Sequence, residues 1–276
     1  MSDTDPLGLR VTSHPALEAR LREASREWGL GEHVEDIVRY ALAGVAVHER
    51  PHREPPPLGA SRVGGGPDLP DGVDAPTDPT GRPWVFLGQL NFVEPHQRFL
   101  PRTGLLSLFI GELLCVTAQN VIGLLTTVPA SALRRHAYRR GQEFSDPDLI
   151  EPFRSRLLSF EPMVVLPRAQ SVAYPKGTPI GEFLDGMQYG PRAQSYFELA
   201  REQDATHVMN SSPFVQHDRP ETEASFNEGG TPEDWVNLIT FGGDGIGLEG
   251  EITISMRRED LARGDFSRLH VSSERS

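Results

Sequence analysis

Cysteine is nearly absent: Cys115 is the only one in 276 residues. An intramolecular disulfide and a cysteine-built metal site are therefore both excluded. Cys115 sits in the run Leu113-Leu114-Cys115-Val116 with no base beside it, where a thiol acts as a small core hydrophobe rather than a nucleophile. Positive charge is short as well. Lys and Arg total 27 against 39 Asp and Glu, a formal net charge of -12. Such a field repels phosphate backbones and anionic lipid, so neither nucleic acid nor membrane is an expected partner.

Long hydrophobic runs are missing. The longest, Leu105 to Val116, is interrupted by Glu112 and is too short to cross a bilayer. The opening Met1-Ser2-Asp3-Thr4-Asp5 lacks the basic-then-apolar pattern of a signal peptide, which predicts a cytoplasmic protein. Catalytic signatures are missing too. There is no Gly-x-Ser-x-Gly elbow, and His207, or His217 beside Asp218, has no metal spacing. Gly64-Gly65-Gly66 lacks the Lys-Ser/Thr ending of a P-loop and the spacing of a dinucleotide fingerprint, so it reads as a tight turn. No cofactor is expected.

Glycine and proline are abundant, at 27 and 24, while apolar residues reach only 37%. The segment 51–83 alone holds nine prolines and six glycines, which neither a helix nor an interior strand survives. It is predicted to be a long connection, ordered around Ser61 to Pro70. Before it, Leu17, Leu21, Ala24 and Trp28 mark one helix. Val34, Ile37, Val38, Ala41, Leu42 and Val45 give the 3.6-residue period of a second, over 33–48. Residues 1–50 thus read as a helical hairpin.

Beyond it the pattern alternates. Trp84, Phe86, Leu90 and Phe92 are predicted to share a core face, with Val85, Leu87, Gln89 and Asn91 opposite. Further strands are expected over 105–110, 121–128 and 156–166. Arg134, Arg135, His136, Arg139 and Arg140 fall on a predicted short helix, read as a solvated basic face in preference to a phosphate or RNA site. Residues 167–191 and 210–232 read as irregular connections around a helix over 192–201. Trp235, Asn237, Ile239 and Phe241 are expected on one face. Ile252, Ile254 and Met256 point inward from the next strand, and a short helix ending at Gly264 precedes a strand over 266–271.

Two stretches resemble each other. Trp84-Val85-x-Leu87 and Gly104 return as Trp235-Val236-x-Leu238 and Gly250, offset by 151 and 146 positions, and Pro67 has Pro213 another 146 on. Landmarks in one order at near-constant offset predict an internal duplication. The fold class is α+β and strand-rich: two diverged copies of a sheet-and-short-helix unit, halves about 60–166 and 192–276, forming one core over 84–276.

Ser61-Arg62-x-Gly64-Gly65-x-Pro67-Asp68-Leu69-Pro70, Phe86-Leu87-Gly88-Gln89-Leu90-Asn91, Leu100-Pro101-x-x-Gly104-Leu105-Leu106 and Asp260 to Ser267 together resemble the YwqG-like proteins. This is a bacterial domain family of unknown function, similar from about residue 55 to the C-terminus. The resemblance implies an α+β fold with a duplicated core and carries no reaction. Departures lie in the second half, where Ser211, Thr240-Phe241-Gly242 and Ile246-Gly247-Leu248 replace usual family residues. On this reading the first half keeps the polar signature and the second serves as scaffold.

Arg62, Asp68, Gln89, Asn91, His207 and Asp244 are the candidate ligand-binding residues. Each has a plainer reading: Asp68 bonds Arg62 or caps a turn, and Gln89 and Asn91 satisfy buried loop backbone. Two functions follow. One is a non-catalytic protein that binds a protein or a small polar ligand. The other is an enzyme of unrecognised type, with Asp68, Gln89, His207 and Asp244 lining a groove between the halves.

Overall fold

The computed structural model describes residues 5–52, 55–95, 99–111, 120–138, 143–146, 153–167, 179–201, 207–210, 220–242 and 251–274. Helix α1 (Pro15–Glu27) starts with proline in its first turn and buries Leu17 and Leu21, and α2 (Val34–Tyr40) buries Val34, Ile37 and Val38. The second helix is half the predicted length. From Leu42 the chain is strand β1 (Leu42–Arg50), whose Val45 and Val47 face the main core. Its backbone bonds two neighbouring strands at once, and that pairing overrides a helical period which happens to run on through Val45.

The remaining strands are β2 (Arg62–Val63), β3 (Asp68–Pro70), β4 (Val85–Asn91), β5 (Leu105–Ile110), β6 (Val121–Thr126), β7 (Leu133–Arg135), β8 (Arg156–Val165), β9 (His207–Met209), β10 (Trp235–Phe241), β11 (Glu251–Arg257) and β12 (His270–Glu274). The helices between them are α3 (Pro179–Tyr189), α4 (Ala193–Arg201), α5 (Pro220–Glu228) and α6 (Arg258–Arg263, labelled in chain order). Helices α3 and α5 lie where only irregular connections were expected. β2 corrects the expectation for 51–83: two residues fit between the prolines and glycines and pair with both β8 and β4 inside the sheet. The predicted arginine helix is also wrong. Arg134 and Arg135 lie on β7, paired with β3 in a small second sheet.

The large sheet has ten strands in the order β12-β11-β10-β9-β1-β8-β2-β4-β5-β6, every pair antiparallel. Outward from the central pair, β2, β4, β5 and β6 follow β8, while β9, β10, β11 and β12 follow β1. Thus β1 precedes β2 in the chain yet lies beside β9, and β8 precedes β9 yet lies beside β2. The sheet is near-closed. A Cβ on Gly123 of β6 would stand 2.9 Å from the carbonyl oxygen of Phe266 and 2.8 Å from Leu269 Cδ1, so this glycine lets the two ends of the sheet approach.

Each outer strand group carries one bulge. Register slips between Phe86 and Gly88 in β4, and between Asn237 and Ile239 in β10, so Leu87 and Leu238 are the extra residues. An extra residue moves every later side chain to the other face, which corrects both predicted faces. Val85, Leu87, Leu90 and Phe92 share the main core, as do Val236, Leu238, Ile239 and Phe241. Phe86 packs outside with Leu69 and Phe109. A separate apolar cluster joins α1, α2, α3 and α4 to the end of β8.

Candidate functional site

Three polar groups are buried in this frame. The first centres on Asp68. Gly66 makes room for it, since a Cβ there would fall 1.7 Å from the carbonyl oxygen of His136, and the β3–β7 pairing sets Arg135 opposite Asp68. Arg62 Nη1 donates to Asp68 Oδ2 at 2.7 Å and Arg135 Nε to Oδ1 at 2.8 Å. Oδ2 also accepts from the Gly59 amide at 2.9 Å and from Gln89 Nε2 at 3.0 Å. The Asp68 amide returns a bond to Gln89 Oε1 at 3.0 Å. Arg62 donates to the Gly66 carbonyl as well, and its guanidinium lies 5.8 Å from the centre of the Phe86 ring.

Gln89 spends its remaining donor on Ala60 O, Asn91 Nδ2 donates to Gly59 O, and Arg135 reaches Pro56 O. These bonds pin the proline-rich connection to the sheet. Burial alone would raise the Asp68 carboxyl, but the hydrogen bonds from Arg135 and Arg62 outweigh it and hold it at about 2. A carboxylate so encased and so acidic is a poor general base. Arg62, Asp68, Gln89 and Asn91 are therefore brought together in a lattice whose hydrogen bonds go to one another and to loop backbone.

The second group holds His207, fully buried on β9. The Gly242 amide donates to its Nδ1 at 3.0 Å, and Glu49 Oε1 lies 3.0 Å from its Nε2. An amide can only donate, so Nδ1 is the acceptor and Nε2 carries the proton towards Glu49. Arg156 flanks Glu49 at 3.8 Å, and Phe241 meets the imidazole edge-on at 5.6 Å. Both ring nitrogens are committed. Glu49 escaped the sequence reading because its segment was assigned to a helix. Asp244 lies outside the described residues, as do Cys115, Pro213, His217, Asp218 and Gly250. Among the described residues, the groove expected between the halves does not bring His207 to Asp68: they occupy different sheets with different partners.

The third group was not anticipated. It covers the outer face of β10, β11 and β12, on which α5 packs. Cross-strand pairing aligns Asn237, Ser255 and His270 in one row and Thr240, Thr253 and Ser272 in the next, and all six are buried. Ser255 Oγ donates to Asn237 Oδ1 at 2.8 Å, Asn237 Nδ2 donates to Glu221 Oε1 at 2.9 Å, and the Thr240 and Thr253 hydroxyls are 3.0 Å apart. His270 is 0% exposed, yet among the described residues neither of its nitrogens meets a hydrogen-bond partner, and the buried hydroxyls of Ser272 and Thr222 meet none either. Glu228 approaches His270 Nδ1 only to 3.8 Å. Burial pushes the imidazole pKa down, with Glu228 opposing, so the ring is neutral at pH 7. Trp235 meets it edge-on at 6.1 Å.

On the outer face of β4, β5 and β6, Phe86, Phe109, Ile122 and Leu124 cluster with Leu69, and the next row holds the buried Gln89 and Ser107. The polarity of the second half is visible in the sequence only as Thr253 and Ser255 pointing away from the core, which alternation assigns to solvent and α5 instead covers.

A cavity of about 330 Å³ lies elsewhere, lined by Arg20, Glu23 and Glu27 of α1, Val164, Leu166 and Leu199. It holds none of the expected site residues. Among the described residues, no three His, Cys, Asp or Glu side chains cluster as metal ligands, and no helix is long and apolar enough to cross a membrane. No curated protein matches the chain. A family model does match residues 61–273, the span that contains the side chains of all three polar groups apart from Glu49: the chain belongs to the family described as Domain of unknown function (DUF1963).

Proposed function

We propose that this is a non-catalytic binding protein that recognises a small polar ligand, and that recognition falls to the outer face of β10, β11 and β12 rather than to the Asp68 lattice. One observation carries this reading: among the described residues, His270 is completely buried with both nitrogens unmatched, on the same face as the unmatched hydroxyl of Ser272. Leaving such groups unsatisfied costs about 1–3 kcal/mol each, a cost that a core of Val or Leu at the same positions avoids. A buried polar group kept at a net cost calls for a partner, and a bound ligand would supply one. The Asp68 carboxylate and the His207 ring are spent internally, although Ser107 Oγ, His136 Nε2 and Tyr138 Oη are likewise buried without a partner among the described residues.

The same reading takes the two outer strand groups as diverged copies of one unit, each lending its first strand to the other's flank. The palindromic sheet order supports it. So do the bulges at Leu87 and Leu238, the same position of the Trp-Val-x-Leu tetrad, and the β4–β5 and β10–β11 registers, related by offsets of 151 and 146. Gly64 has φ 62°, and Asn210, 146 positions on, has φ 53°. Within its family we place the chain beside the YwqG-like proteins on the motifs of its first copy. The first copy then covers this face with the Phe86–Phe109 packing and the Gln89 end of the Asp68 lattice, and the second carries two polar rows in their place.

The test is a thermal-shift screen of the full chain against polar metabolites, repeated with His270→Leu. The expected result is a ligand that raises the wild-type Tm and leaves the variant unmoved, while the unliganded variant is at least as stable as wild type. A ligand that stabilises both equally would place recognition elsewhere and overturn the reading.

A further inference from the structure

Resting on that proposal, we infer that the ligand is a neutral polyhydroxylated molecule, of the sugar or polyol class. The lining decides the class. The face offers four hydroxyls (Thr240, Thr253, Ser255, Ser272), one carboxamide (Asn237) and one imidazole (His270), in two rows. Successive outward residues on a strand stand about 6.6 Å apart, so each row can engage different hydroxyls of one small molecule. A ring or chain bearing a hydroxyl on each carbon donates and accepts at every position, which suits a lining of groups that do both.

Other classes fit less well. No Lys or Arg stands in either row, Glu221 and Glu228 bring carboxylates to it, and Arg257 is spent on the Trp235 ring and on the carbonyls of Glu228 and Gly229, so phosphate and carboxylate ligands meet repulsion rather than a free partner. An ammonium ligand would need an uncommitted carboxylate in the rows; Glu221 is already engaged by Asn237 and Glu228 lies at the margin, beside His270. A fully apolar ligand would strand the same polar groups it covered.

Access runs through α5. The helix turns Pro220, Glu221 and Ala224 to the sheet and leaves Phe226 87% exposed. Its large apolar side chain points to solvent and a carboxylate points in, so little apolar area holds it down. Raising it exposes both rows, and a polyol replaces its polar contacts like for like. Trp235, paired with Arg257 in the adjacent row and edge-on to His270, reports on the event.

Isothermal titration calorimetry of the full chain, with Trp fluorescence read in parallel, tests the class using three panels. They are neutral hexoses, pentoses and inositol; inorganic phosphate and dicarboxylates; and putrescine and choline. Binding confined to the first panel, and weakened at least tenfold by Ser272→Ala in a variant of unchanged Tm, is the expected outcome. Ser272→Ala deletes a single hydroxyl, and Thr253→Val repeats the measurement if it perturbs folding. Binding from the second or third panel alone would overturn the class and leave the binding role intact. No binding from any panel, or from the wider metabolite screen, would overturn both.

Discussion

Asp68 and His270 are both completely buried, and they show opposite uses of a buried polar residue. Asp68 is surrounded by donors, so the worth of its lattice appears when it is cut. Asp68→Ala strands Arg62 and removes the tie to Arg135 and Gly59. Breaking a buried pair in this way costs about 3–5 kcal/mol, to be read from urea unfolding at pH 7. The carboxyl is held at about 2 against its ordinary 3.8. Its contribution is thus complete above pH 4 and is lost as the pH falls towards 2, about 2 kcal/mol in all. Asp68→Asn should flatten that acid limb.

His270 works in the other direction. Its pKa is depressed by burial, so the unfolded chain takes up a proton near pH 6.5 that the folded chain refuses. Stability is complete above that pH and falls as the pH drops below it. His270→Leu removes the proton linkage and the unmatched nitrogens together. It should leave the chain as stable as wild type or about 1 kcal/mol more so at pH 7, and abolish the loss of Tm between pH 6.5 and pH 5. A variant clearly less stable at pH 7 would mean that the imidazole is well satisfied.

At the scale of elements, local pattern and long-range pairing divide the outcome. Helix α1, the Arg192–Arg201 region and the strands around Trp84, Trp235 and Ile252 were legible because their periods are strong and local. The second helix was misread from Leu42 onward because β1 owes its conformation to β8 and β9, strands more than 100 residues away. Both bulges were invisible, since a single extra residue leaves composition and turn signals unchanged while reversing a face. The Asp68 neighbours could be read from their clustering in sequence, but Arg135 and Glu49 arrive through tertiary pairing that no spacing announces. Helix α5, with Phe226 outward and Glu221 inward, inverts the amphipathic rule by which helices are recognised. Its amides should therefore exchange hydrogen faster than those of β10 beneath it, and Phe226→Ser should change Tm by less than about 2 °C.

For the whole molecule, the crossed order of β1 and β8 has a direct consequence. If the halves are copies that lend each other a strand, neither is complete without the other. A chain divided after Gly141, in the stretch between β7 and β8, should give two fragments that are unfolded apart and regain β structure when mixed, as followed by circular dichroism. A first fragment that folds cooperatively alone would contradict the exchanged arrangement. The near-closed sheet gives the scaffold its rigidity, with the Asp68 lattice fixing the long connection on one flank. The flank proposed for recognition is the other one, beneath α5, where both nitrogens of His270 are unmatched among the described residues.

That localisation is tested most directly by hydrogen exchange with mass analysis, comparing the free chain with the chain saturated by its polar ligand. The account predicts new protection confined to residues 220–228 and to the strands around 253–255 and 270–273, with residues 56–70 unchanged. Protection centred on 56–70, around Arg62 and Asp68, would contradict it and return the site to the first half of the chain.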